Sequence, residues 1–152
     1  MEVLKKLYWE SKDFDDMAWH DCKLYGMAFN DLKHDLYLDI DYILQWINRP
    51  KENDFMFYVA PATFVFSRVH DLQCSIFSLD FVIDEVLQNN PKIVSVRGSE
   101  NSFLEYEWSI SLTKGEINFK SIGFEMFLRK LPNLIFQMYK LICKDSRHKD
   151  GK

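Results

Sequence analysis

Residues 34–43, HDLYLDIDYI, alternate in polarity almost without fault: Leu36, Leu38, Ile40 and Tyr42 fall on one side of the chain, Tyr37, Asp39 and Asp41 on the other. Side chains of an extended strand point alternately to its two faces, so this period of two predicts a strand with one buried and one solvated face. The preceding run, CKLYGMAF at residues 22–29, is compact and apolar and ends in the turn-prone pair Asn30-Asp31. Two such runs joined by a short turn form a hairpin, which makes the pairing antiparallel.

The same reading extends along the chain. Residues 1–20 mix charge with scattered aromatics and fit either a short helix or an irregular arm. Residues 48–54, NRPKEND, read as a loop. Residues 55–69, FMFYVAPATFVFSRV, predict two strands or one strongly bent strand, because a proline inside a central strand leaves a ladder hydrogen bond unmade. Residues 71–78 alternate again, while 81–87 fit a helical turn or a strand ended by Gln88-Asn89-Asn90-Pro91. Residues 92–96, 103–112, 116–122 and 123–129 are strand-like, with Leu104, Tyr106, Trp108, Ile110 and Leu112 on one face and Thr113-Lys114-Gly115-Glu116 as a hairpin turn. Leu134, Met138, Leu141 and Ile142 fit a helical period after Pro132. The expected fold is α+β: a mostly antiparallel sheet domain of about eight strands with one to three short helices.

Length and composition set the boundaries. A chain of 152 residues, 47% of them hydrophobic, is one domain, and at this size folding buries roughly 70% of the surface of the unfolded chain without help from disulfides or metal. The domain is expected over 1–143, with a polar tail over 144–152. Thirteen Phe, seven Tyr and four Trp point toward strands. A formal charge of −4 gives no footprint for a nucleic-acid backbone. Cys22, Cys74 and Cys143 are odd in number and widely spaced, which argues against a zinc site. No apolar run approaches the roughly 18–20 residues of a membrane span, and the first residues lack a secretory pattern, so a cytoplasmic protein with reduced thiols is expected and no membrane partner.

Candidate chemistry is sparse. His20-Asp21, preceded by Trp19, and His70-Asp71 each stand just before a strand. Brought together, the four residues would offer imidazole and carboxylate ligands to a divalent metal, the basis of a small hydrolase. The simpler reading is structural: Asp opens a strand by bonding turn amides while Trp and His pack nearby. The cysteines sit in apolar runs without a nucleophile elbow, and the five glycines form no phosphate loop. Asp39 with Asp41, and Glu105 with Glu107, lie two residues apart and share strand faces. Buried, such pairs would suit acid-base chemistry; solvated, they suit docking of a basic partner. No cofactor is implied.

The phrases WHDCKLYGMAF (residues 19–29), LYLDIDYI (36–43), ATFVFSRVHDL (62–72) and GFEMFLR (123–129) resemble those of small bacterial toxin-immunity-like proteins. His20, Asp21, Val69, Asp71 and Leu72 carry the likeness, which runs from about Trp19 to Arg129. It implies a sheet-dominated fold and a non-catalytic role, binding and neutralising a toxin, with no catalytic residue. Contacts expected for such a partner are Trp19, His20, Asp21, Tyr37, Asp39, Asp41, Asp71, Glu105 and Glu107. A homo-oligomer built on the surplus aromatics is a further reading.

Overall fold

The alternating segments fold as strands, and hairpins set most of their pairing. The computed structural model describes residues 6–49, 51 and 54–136. Among them are ten strands: β1 (Tyr8–Glu10), β2 (Lys23–Asn30), β3 (Asp35–Arg49), β4 (Asp54–Phe66), β5 (His70–Ile76), β6 (Ile83–Ser95), β7 (Ser102–Leu112), β8 (Gly115–Ser121), β9 (Phe124–Leu128) and β10 (Asn133–Phe136). A 3-10 helix, Ser11–Asp16, follows β1. The domain is mostly antiparallel sheet with very little helix. No helix among the described residues is long and apolar enough to cross a membrane.

The strands form two sheets. Sheet A has the order β1-β9-β4-β3-β2, with β10 also paired to β4, and sheet B has the order β5-β8-β7-β6. The buried face of β3 carries Leu36, Leu38 and Ile40, that of β4 Phe64 and Phe66, and that of β9 Phe124 and Met126. Facing them from sheet B are Ile83, Val86, Trp108, Ile110, Leu112, Ile117 and Phe119. Each such side chain stabilises the fold by roughly 1.5–3 kcal/mol on leaving water. The aromatic rings interlock across the layer: Phe66 meets Trp108 at 5.1 Å and Phe119 at 4.7 Å between ring centroids.

The chain passes between the sheets at two adjacent corners. Ser67 N–H donates to the Gly123 carbonyl at 3.0 Å and Ile122 N–H to the Ser67 carbonyl at 3.2 Å. The fully buried Ser121 hydroxyl lies 2.8 Å from both carbonyls, so the crossover backbone is satisfied without water. At another corner Asp21 and Ile83 N–H groups donate to Ile83 and Cys22 carbonyls, tying the entry to β2 onto the start of β6.

Several local expectations are corrected by these pairings. The ladder between β3 and β4 continues to Arg49 opposite Asp54, so most of the loop read at 48–54 is hairpin. Of the two readings open for residues 55–69, the single strand is the one found: residues 54–66 run through Pro61 as β4. The Pro61 carbonyl accepts Arg129 N–H at 2.8 Å, so the ring nitrogen also faces the connection between β9 and β10, where no ladder bond is lost. The segment 83–95 is likewise one strand, because a bulge between Asn89 and Lys92 absorbs Asn90, at φ 52°, and Pro91. The first twenty residues include β1 as well as the short helix. Residues 133–136, expected to open a helix, pair with β4 as a strand; the rest of that segment, and the boundary at residue 143, lie outside the described residues.

Candidate functional site

The period of two in β3 sends Tyr37, Asp39 and Asp41 to the outer face of sheet A. Register then places Gly26 and Thr63 on either side of Asp39, and Phe127 beyond Thr63. Thr63 Oγ1 donates to Asp39 Oδ1 at 2.6 Å, and Arg129 Nε lies 3.9 Å from the same oxygen. The Arg129 guanidinium in turn sits over the Tyr25 ring, 5.4 Å from its centroid. Tyr25 occupies the bulge between Leu24 and Gly26. A Cβ on Gly26 would come within 3.1 Å of Asp39 Oδ2 and 3.2 Å of Asp39 Cβ, so glycine keeps the space that the carboxylate fills.

Asp41, opposite Lys23 and Pro61, is half-buried, and that burial pushes its carboxyl above the usual range despite the opposing pull of Lys23. A carboxyl with a raised folded-state pKa contributes stability below its unfolded value, and loses that contribution as pH rises through the folded value. At neutral pH the ionised group therefore costs stability. Asp41→Asn is expected to raise the melting temperature at pH 7 and to change it little at pH 3; a lower melting temperature at pH 7 would reverse that assignment.

The other expected contacts lie elsewhere. Trp19 is 7% exposed and packs on Phe64 at 4.2 Å between ring centroids, so it belongs to the core and not to a surface a partner can reach. His20 and Asp21 are at the corner beside β6, where His20 Nδ1 is 3.1 Å from the Asp84 carbonyl and Nε2 3.6 Å from Asp21 Oδ1. His70 instead reaches Glu105 Oε2 at 2.7 Å, with Asp71 at 3.5 Å and Lys120 beyond it. The two His-Asp pairs thus turn to different neighbours. Among the described residues no group of three or more His, Cys, Asp or Glu converges to hold a metal, so the set His20, Asp21, His70 and Asp71 is not assembled.

What the pairs share is backbone. Asp21 has φ 67° and Asp71 φ 52°, the left-handed region that Asp tolerates better than most residues. A third His-Asp dipeptide, His34-Asp35, also lies at a strand start: His34 takes φ 57°, its carbonyl accepts Val69 N–H at 2.6 Å, and Asp35 accepts Arg68 N–H at 3.4 Å. The motif marks places where strands begin or bend.

Glu105 and Glu107 project from the outer face of sheet B, on the opposite side of the domain from Asp39 and Asp41. Glu105 is engaged by His70, and Glu107 accepts the Asn90 side-chain amide at 2.7 Å. The Cys22 thiol is fully buried and pushed up to about 12 by burial, which removes it as a nucleophile near neutral pH. Cys143 lies outside the described residues.

Comparison of the chain with protein families, with curated proteins and with solved structures finds no match. The residues missed in the sequence are Tyr25, which reaches the Asp39 face through the bulge in the β2–β3 pairing, and Thr63, Phe127 and Arg129, which reach it through pairing of β4 with β3 and β9. Around the β2 edge this face continues into exposed Met27 and Phe29, beside an apolar groove of about 120 Å³ lined by Leu24, Ile76, Phe81 and Ile117.

Proposed function

We propose that the protein is a non-catalytic binding protein that receives a basic protein partner on the outer face of sheet A, in the manner of an immunity protein masking a toxin. The observation that carries this reading is the fixed Asp39 carboxylate: Thr63 holds it, Gly26 clears its space, and Arg129 and Tyr25 brace one side. A charge positioned before the partner arrives spares the complex the entropy of ordering it. Asp41 beside it is kept at a cost to stability, which fits a residue retained for binding.

Exposed Tyr25 and Phe127 add the aromatic area in which interfaces are enriched. Neutralisation needs no covalent step, since an occupied surface is closed to the partner's own substrate. Charge complementarity would chiefly speed encounter and set specificity.

The test is titration calorimetry against the product of a neighbouring gene that encodes a large modular secreted protein. The wild-type chain should bind, more weakly as salt rises, and the double variant Asp39→Lys, Asp41→Lys should lose about 100-fold or more in affinity with an unchanged circular dichroism spectrum. Equal affinity of the folded variant would remove this face as the binding surface.

A further inference from the structure

The outer face of sheet B is concave across all four strands. The depression has a volume of about 540 Å³ and crosses β5 at Asp71–Gln73, β8 at 118–120, β7 at 107–109 and β6 at Asn89. The backbone at Trp108 and Phe119, whose rings point the other way into the core, floors it. Register arranges its polar side chains in two transverse rows: Gln73, Asn118 and Ser109 in one, Lys120, Glu107 and Asn89 in the other. Neighbours within a row stand about 5 Å apart and the rows about 7 Å apart, by sheet geometry.

The charged members of this surface are engaged with one another or with its rim. Lys120 Nζ is 3.3 Å from Asp71, and Glu107 accepts the Asn90 amide. The neutral members are not: the side chains of Gln73, Asn118, Ser109 and Asn89 have no hydrogen-bond partner among the described residues. Amides and a hydroxyl offer both donors and acceptors at fixed spacing. A ligand that matches them must likewise donate and accept at successive positions. It gains nothing from net charge, since the cation is already paired and an anion would meet Asp71 and Glu107.

We infer that this depression binds a neutral polyhydroxylated ligand, an oligosaccharide. Hydroxyl groups both donate and accept, and a chain of sugar rings presents them along a line as the two rows do. The site is independent of the Asp39 face, which lies on the other sheet.

The experiment is titration of the isotope-labelled 152-residue chain with maltohexaose, cellohexaose and tetra-N-acetylchitotetraose, read by amide shifts in nuclear magnetic resonance. At least one should shift the side-chain amides of Gln73, Asn89 and Asn118 in a saturable way. Gln73→Ala, on the edge strand, and Asn118→Ala should each weaken that titration about 10-fold with melting temperatures unchanged, while Asp39→Lys leaves it intact. A basic hexapeptide and a sulphated oligosaccharide are the comparison ligands. Saturable shifts at these amides with either charged ligand but none of the neutral sugars would overturn the inference, as would the absence of any shift at millimolar sugar or titrations unaffected by both alanine variants.

Discussion

Trp108→Ala is expected to destabilise the protein by about 3–5 kcal/mol, the range for removing a large aromatic from a packed core. The indole is 2% exposed and holds together elements from both layers. Its ring centroid lies 5.3 Å from Phe14 of the 3-10 helix, 5.1 Å from Phe66 of β4 and 5.5 Å from Phe124 of β9, all three edge-on. Edge-on aromatic pairs contribute about 0.5–1.5 kcal/mol beyond the area they bury, so the loss should reach the top of the range if the neighbours cannot close on the space. Urea unfolding followed by circular dichroism would measure it. A loss below about 1 kcal/mol would mean that the two sheets do not depend on this ring for their contact.

Gly115→Ala should be nearly as damaging, by about 2–4 kcal/mol, through a different mechanism. Gly115 opens β8 opposite Ile76 of β5. A Cβ there would stand 2.4 Å from the Ser75 carbonyl oxygen and 3.1 Å from Ile76 Cα. Both are backbone atoms of the paired strand, so relief requires β5 to move off β8, and overpacking of this kind costs about 1–3 kcal/mol before any backbone strain at φ 154° is added. Gly98 is the control: it also has positive φ, at 86°, but nothing lies within 4 Å of its Cβ position. Gly98→Ala should cost only the conformational part, about 1 kcal/mol. Equal losses from the two substitutions, in the same denaturation experiment, would show that crowding against β5 is not the cause.

The sheet content was legible because β3 and β7 follow a period of two for long stretches, and no helix hides that pattern. What the sequence withheld were the consequences of pairing. Pro91 reads locally as a stop and Pro61 as either a break or a strong bend, because a proline is judged by its missing N–H, whereas Pro61 faces a loop connection and Pro91 sits in a bulge. Residues 134–136 fit a helical period, yet β4 offers an open edge there and takes them as a strand.

The candidate site followed the same rule. That Tyr37, Asp39 and Asp41 share a face could be read from β3 alone. That Glu105 and Glu107 lie on the opposite side of the domain could not, since nothing local says which sheet a strand joins. Trp19 was misplaced because its neighbours His20 and Asp21 are exposed, but the indole is drawn between the layers by the area it removes from water.

The divided edge of β4 also bears on how the native state opens. Residues 56–59 are held by β10 and residues 62–66 by β9, and between them Pro61 contributes no exchangeable amide. Undocking of β10 can therefore release one stretch of β4 while the other stays closed within the sandwich. In native-state hydrogen exchange, a single long strand should behave as two cooperative units, with the β9-facing amides protected to nearly the global unfolding free energy and the β10-facing amides exchanging through a smaller, local event.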